Sequence, residues 1–300
     1  MAAELDTRID LYTRAAEDTA SGIIRLYSTS FGLASRLLEP QSRRHIENIY
    51  SLVRLADEVV DGVASEAGVA DAEARELLDR LEADTQRALE TGYSTNLIVH
   101  AFAHSARQLD IGMDLVAPFF ASMRADFDKA EHNPESFERY VYGSAEVVGL
   151  MCLQAFLVGH PVSEIDKDTM VRGARALGAA FQKVNFLRDL AVDFEALGRS
   201  YFPGVTPDSL DEETKNRLLD DIDNDLALSA RALPLLPSRP RRAVALAHAL
   251  FDELGRQIRR TPAELVMTSR ASVPSWKKFT LALWVVAGGV PGAPARATNA

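Results

Sequence analysis

Phe181-Gln-Lys-Val-Asn-Phe-Leu-Arg-Asp-Leu-Ala-Val-Asp193 reads as an apolar helix that carries a polar seam. Gln182, Asn185, Asp189 and Asp193 recur at steps of three and four residues, so an α-helix sets them along one face. The other positions are mostly apolar, which predicts a helix buried over much of its surface. Carboxylates on a buried helix need partners or a metal. Both the fold class and the chemistry turn on what this seam faces.

A second segment of the same kind is Leu52-Val-Arg-Leu-Ala-Asp-Glu-Val-Val-Asp-Gly62. Tyr50, Arg54, Asp57 and Asp61 fall near one stripe there, with Glu58 beside it. Unpaired like charges four residues apart on a helix cost about 0.2–0.5 kcal/mol, and a bound divalent cation reverses that sign. Spacing alone identifies nothing, because the chain has five such pairs: Asp6/Asp10, Asp57/Asp61, Asp110/Asp114, Asp189/Asp193 and Asp221/Asp225. Context separates two of them. Asp221/Asp225 lies in the polar run Leu219-Asp-Asp-Ile-Asp-Asn-Asp225 and reads as solvated surface, and Asp6/Asp10 is near a terminus. Asp57/Asp61 and Asp189/Asp193 instead sit on apolar helices. Two such seams predict opposed walls of one cavity. Their hard oxygen ligands suit Mg2+, which keeps several waters and bridges to phosphates. The competing reading is simple salt bridging to Arg54, Lys183 or Arg188.

Around these segments the pattern is helical throughout. Strand signals are scarce, and the periodicity predicts helices over 6–22, 24–38, 41–63, 71–91, 95–108, 113–130, 135–158, 164–197, 210–232, 240–260 and 262–287. No long linker divides them. We expect one all-α catalytic domain over 1–287, its helices surrounding a central space, and a disordered tail over 288–300. A 300-residue chain that is 47% hydrophobic can build a sizeable core. Its net charge of -10 argues against nucleic acid as a partner. Cys152, the single cysteine, excludes an intramolecular disulfide and a cysteine-based zinc site. Together with an N-terminus that lacks an apolar signal core, it predicts a cytoplasmic setting. No stretch reaches the roughly 18–20 apolar residues of a membrane span, and Phe279 to Val290 comes nearest.

Ordered motifs carry a family resemblance. Ser28-Thr-Ser-Phe31 looks like an N-terminal flap, and Asp57-Glu-Val-Val-Asp61 like a first acidic box. Tyr140-Val-Tyr-Gly-Ser-Ala-Glu-Val-Val-Gly149 looks like a central helix motif. Asn185-Phe-Leu-Arg-Asp-Leu-Ala-Val-Asp193, with Gly198-Arg-Ser-Tyr-Phe-Pro203 after it, looks like a second box. Over roughly residues 20–280 the chain resembles the squalene/phytoene synthases, the head-to-head prenyl transferases, and its wording is similar to bacterial phytoene-forming members. The resemblance implies the isoprenoid-synthase α-helical fold. It further implies Mg2+-dependent joining of two geranylgeranyl diphosphates, through a cyclopropylcarbinyl diphosphate, to phytoene in carotenoid biosynthesis. Mn2+ is the alternative metal, and NADPH is not expected. Squalene or dehydrosqualene from two farnesyl diphosphates is the alternative product.

By the same resemblance, Asp57, Asp61, Asp189 and Asp193 hold the metal and the diphosphates, with Asn185 as a further ligand. Arg54 and Arg188 contact diphosphate, Tyr140 and Gln182 line the cleft, and Tyr201 closes over it. Phe31 faces the hydrocarbon and can steady a carbocation, and Ser30, Tyr50, Ala145 and Gly149 are substrate-binding positions. Two departures stand out. Thr29 occupies a flap position that is often basic, so one diphosphate contact is lost or supplied elsewhere. An aromatic expected around 246–250 is missing, with Ala247 and His248 in that stretch.

Other features carry two readings each. The small residues Gly143, Ala145, Gly149, Gly173, Ala176, Gly178, Ala179 and Ala180 either leave room for a prenyl chain or let helices pack closely. His100/His104 reads as surface. Trp276-Lys-Lys-Phe-Thr-Leu-Ala-Leu-Trp-Val-Val286 reads first as a final core helix and second as a face for peripheral membrane contact. A non-catalytic helical scaffold and a terpene cyclase are rival functions, and the complete acidic boxes and the 140–149 motif argue against them respectively.

Overall fold

Several helix starts fall where a side chain accepts from the free backbone N–H groups, as Thr7, Ser28, Asn96, Ser163 and Asp211 do. The computed structural model describes residues 7–128, 131–266, 268 and 270–292, and shows no strand among them. The helices are α1 (Arg8–Tyr27), α2 (Thr29–Ser35), α3 (Pro40–Val60), α4 (Val63–Glu66), α5 (Asp71–Thr91), α6 (Leu97–Leu109), α7 (Met113–Ala125), α8 (Pro134–Val141), α9 (Val147–Leu157), α10 (Glu164–Leu197), α11 (Glu212–Ala232), α12 (Ser238–Arg260), α13 (Ala263–Val266) and α14 (Ser275–Val286). Asn133 and Ser136 form a reciprocal cap at the start of α8, and Pro134 fills its first turn.

Several boundaries differ from the sequence expectation, each for a local reason. Helix α1 runs on to Tyr27, because Ser28 is extended and its hydroxyl caps α2 instead. The helix expected over 113–130 stops at Ala125, and residues 129–130 lie outside the described ones. Pro274 restarts the chain as α14, so the 262–287 helix is two pieces. Between α8 and α9, Tyr142–Glu146 is a single π-helical segment, which makes 134–157 one continuous rod. By length and composition this rod could cross a membrane, contrary to the expectation that no stretch could. Half of its most apolar window, however, is buried inside the protein.

Three apolar clusters form the core. The first joins residues of α1, α3, α5, α6, α7 and α9. The second joins α8, α10, α11 and the end of α12, and the third joins α2, α10, α12 and α14. Helices α9 and α10 each serve two clusters, which ties the three together. With 34 residues, α10 is about 50 Å long and runs through the centre.

Close approach at α10 resolves the small-residue stripe toward packing. A Cβ on Gly178 would lie 2.5 Å from the Ala145 carbonyl oxygen. Gly149 meets the Ala174 carbonyl, Gly173 meets Ala232, and Gly143 is pressed against Pro118 and Ser122 of α7. His100 is also not surface: it is buried, with a ring nitrogen 3.0 Å from the Thr13 hydroxyl. The final helix is not core either. Of α14 only Val285 is buried, whereas Trp276, Phe279, Leu283 and Val286 are 49–67% exposed along one stripe. Of the expected tail, the Gly288 and Gly289 N–H groups close the end of α14 on the Val285 and Trp284 carbonyls, Val290 packs on the third cluster, and Gly292 lies against Ala230 of α11. Residues 293–300 lie outside the described ones.

Gly178→Ala should therefore force α10 off the π segment and lower unfolding free energy by about 1–3 kcal/mol. Gly255→Ala, where nothing lies within 4 Å, is the control and should be neutral or stabilising. Urea denaturation of both variants checks this, and equal stability would show that the contact is soft.

Candidate active site

Helix α3 buries Ile49, Leu52, Ala56 and Val60, which leaves Tyr50, Arg54, Asp57 and Glu58 half-buried on the next face. Asp61 caps the helix, its N–H donating to the Asp57 carbonyl at 2.8 Å. On α10, Gln182, Asn185, Asp189 and Asp193 are all half-buried along the expected seam. Gly198 then ends the helix at φ 65°, a conformation that a side chain would strain, and the chain turns Arg199, Ser200 and Tyr201 inward.

Arg199 joins the two walls. Its Nη2 donates to the Val60 carbonyl at 2.7 Å, and its Nη1 lies 3.3 Å from Asp61 Oδ1 and 3.4 Å from Tyr201 Oη. The same nitrogen is 3.9 Å from Asp126 Oδ1. Asp126, 5% exposed just beyond α7, accepts from Tyr140 Oη at 2.9 and 3.0 Å and from Tyr201 Oη at 3.4 Å. Sequence reasoning missed both hubs. Asp126 has no carboxylate four residues away to mark it, and the one signal for Arg199 was its place in the Gly198–Pro203 motif. Tyr201, expected to close over the cleft, is buried and stacked on Phe186 at 4.0 Å.

The carboxylates crowd one another. Burial, and then repulsion from Asp61, push Asp57 up to about 8. Burial with the Asp189 and Asp61 charges lifts Asp193 to about 7, so Asp61 and Asp193 act on one space from the two walls. Asp126 rises to about 7 through burial, against the pull of Arg199 and the Tyr140 hydroxyl. Burial also raises Asp61, with Arg199 and Arg54 opposing. Asp189 differs. Burial pushes it up, but hydrogen bonds from Arg188 and Arg270 prevail and hold it below the usual carboxylate range. Arg54 pairs with Glu58, lies 3.9 Å from Asp57, and covers the Tyr27 ring at 4.7 Å.

Salt bridging thus accounts for part of the seam, through Arg54 and Arg188. Lys183 takes no part in it. Its Nζ lies 2.6 Å from Asp221 and 2.8 Å from Asp225 on α11, so the pair also clamps α11 to α10: Asp221 stays exposed, as expected, and Asp225 is half-buried. At the apolar end, Phe31 of the flap packs against Tyr50, Phe181 and Phe251, with ring centroids 6.4, 5.6 and 5.6 Å away. Phe251 stacks on Phe181 at 3.9 Å and supplies an aromatic from α12, while His248 is buried against the Leu226 carbonyl. Ser30 is half-buried on the flap, and Ala145 and Gly149 pack against the α10 backbone.

Divalent cations fit this donor set. Its carboxylates outnumber their cationic partners, while Arg54 Nε and Arg199 Nε, buried donors with no hydrogen-bond partner, suit an anionic acceptor beside the ion. Among the described residues, no three His, Cys, Asp or Glu side chains are placed to ligate one ion. An ion held here would take one or two carboxylates and complete its shell with water and phosphate oxygens, as Mg2+ does.

Comparisons with known proteins agree with this architecture. A family model described as squalene/phytoene synthase matches residues 24–277. A phytoene synthase from Pseudescherichia vulneris is 30% identical over 274 residues, covering 83% of this chain and 82% of its own. A 15-cis-phytoene synthase from Paracoccus sp. is 29% identical over 277 residues, covering 85% and 87%. Among solved structures, a dehydrosqualene synthase in complex with ligand superposes with a TM-score of 0.77 at 22% identity, over 92% of this chain and 97% of that one. A squalene synthase from Alicyclobacillus acidocaldarius gives 0.70 at 21%, over 83% and 95%. At these identities the structures speak for the fold alone.

The raised carboxyls have a stability consequence. Folded Asp57, Asp126 and Asp193 retain protons that their unfolded forms release, so the metal-free protein should lose stability as pH rises from about 5 to about 8. Asp189, held low, contributes the opposite slope, and only below about pH 4. Asp57→Asn should flatten the profile and stabilise the protein at pH 8 by on the order of 1–2 kcal/mol. Thermal melts in chelator across this range test it, and a flat or rising wild-type profile would contradict it.

Proposed function

The chain belongs to the squalene/phytoene synthase family of prenyl transferases, and from that premise we propose that it joins two geranylgeranyl diphosphates head to head to form phytoene. The observation that carries this reading is the pair of opposed acidic seams, Asp57/Asp61 and Asp189/Asp193, tied across one space by Arg199. The choice of the C20 substrate is supported by relatives named phytoene synthase at 29–30% identity over most of their length. Squalene or dehydrosqualene formation from farnesyl diphosphate is the second reading, favoured by the dehydrosqualene and squalene synthases among the structural neighbours.

Asp57 and Asp61 on one wall, and Asn185, Asp189 and Asp193 on the other, would hold Mg2+, or Mn2+ in its place. When bound, the metal supplies Lewis-acid charge to the diphosphate oxygens. Arg54 and Arg188 stand beside these seams and would donate N–H groups to the same oxygens. Phe31, Tyr50, Phe181 and Phe251 wall the apolar end, where π faces can stabilise an allylic cation. In the first half-reaction one diphosphate leaves, the double bond of the second molecule attacks the cation, and a proton is lost as the cyclopropane closes. In the second, the cyclopropylcarbinyl diphosphate ionises and rearranges, and loss of another proton forms the central double bond. No hydride donor enters that balance, so NADPH is not required. The Tyr140–Asp126–Arg199–Tyr201 network keeps α3, α7, α8 and α10 in register around the reacting carbons. The exposed stripe on α14 supports peripheral contact with the cytoplasmic face of a membrane, where such hydrocarbons partition.

Chromatography of products from Mg2+-containing incubations with each diphosphate, with and without NADPH, is the test. Phytoene from the C20 substrate without NADPH is expected, and products from the C15 substrate alone would overturn that choice. Asp57→Ala and Asp189→Ala should each abolish turnover while leaving the helical circular dichroism signal in place. Retained turnover in both would remove the metal role.

A further inference from the structure

Stacking on an aromatic ring holds an arginine without using any of its donors. The N–H groups of a guanidinium lie in its plane, so a ring against the face fixes that plane and leaves the edges free. Arg54 is held in this way, with its Cζ 4.7 Å from the centroid of the Tyr27 ring. On its edges, Nη2 pairs with Glu58 and Nη1 lies 3.9 Å from Asp57 Oδ2, while Nε is buried with no hydrogen-bond partner. A buried donor without an acceptor is costly. An anionic oxygen entering beside Asp57 would supply the acceptor.

Tyr27 comes to this place through the seating of α1. It is the last residue of that helix and 52% exposed, whereas Ala16, Ala20 and Ile24 on the same helix are buried and fix it to the protein. Ser28 then leaves the helix with extended backbone and caps the flap helix α2. Its side chain hydrogen-bonds that of Tyr50, one turn before Arg54 on α3. Two adjacent residues therefore meet two positions of the α3 stripe, Ser28 on Tyr50 and Tyr27 on Arg54. The seat of the flap and the aim of the arginine share one anchor.

We propose that Tyr27 is a positioning residue for the reaction: its ring sets the plane of Arg54 so that Nε and the free edge of the guanidinium meet a diphosphate. Glu58 and Asp57 attract the guanidinium, but an oxygen acceptor tolerates a broad range of approach directions and leaves its tilt loose. The ring supplies the missing restraint. This rests on the reading of Arg54 as a diphosphate contact given above.

Calorimetric titration of the full chain with inorganic pyrophosphate at saturating Mg2+ tests it. Tyr27→Leu keeps the bulk and removes the π face, and should bind pyrophosphate about fivefold more weakly than wild type with an unchanged melting temperature. Tyr27→Phe keeps the ring and should bind within about twofold of wild type. Arg54→Gln should lose affinity by itself, and adding Tyr27→Leu to it should cost nothing further, because the ring acts only through that guanidinium. Equal losses from Tyr27→Leu in the wild-type and Arg54→Gln backgrounds would overturn the positioning role. Wild-type affinity in Tyr27→Leu, or a Tyr27→Phe variant as weak as Tyr27→Leu, would do the same and leave the Arg54 contact standing. Wild-type affinity in Arg54→Gln would instead remove that contact, and the positioning role with it, while leaving the metal reading. Wild-type protein that binds no pyrophosphate overturns both.

Discussion

Asp57, Asp126 and Asp193 are partly or wholly withdrawn from water, Asp61 stands exposed at their edge, and Arg54 and Arg199 are the cations set among them. Repulsion in a low-dielectric site is strong, and folding must hold these groups together against it. The surrounding architecture answers to that demand. Helices α3 and α10 are anchored on their apolar sides, Arg199 ties their ends together, and Asp126 is fixed by two tyrosine hydroxyls. A site that sets aside stability in this way is the usual mark of function within an otherwise consistent fold.

Close backbone contact makes the anchoring possible. Glycines at 149, 173 and 178 bring α10 against α9, α11 and the π segment, and Gly143 brings the π segment against α7, nearer than any larger residue allows. Such contacts are stiff, so carboxylates carried by these helices cannot drift apart to relieve their charge. The Lys183 clamp on Asp221 and Asp225 adds a polar tie between α10 and α11 on another face.

Much of this was legible in the chain. The seam on α10 announced itself because period 3.6 and an apolar background coincide there, and its bounds of 164–197 match those expected. Asp126 was invisible because its role arises only where α7, α8 and the turn after α10 meet. The α14 segment was misjudged because an apolar run says how oily a helix is, and not which neighbours cover it. The polar run around Asp221/Asp225 did mark an exposed face, but it gave no hint that a lysine from another helix reaches across to it.

The π segment at Tyr142–Glu146 has a consequence for how this site can vary. A π turn is one residue inserted into an α-helix, and each α-helical residue turns the chain by about 100°. The insertion therefore sets the phase between Tyr140, which holds Asp126, and Gly149, which seats α10. Removing one residue would let the rod relax to regular α geometry, and one of those faces would then point away from its partner. Point substitutions can tune this helix, but its length is quantised: a change of one residue must be matched by a compensating insertion, or the two halves of the site fall out of step.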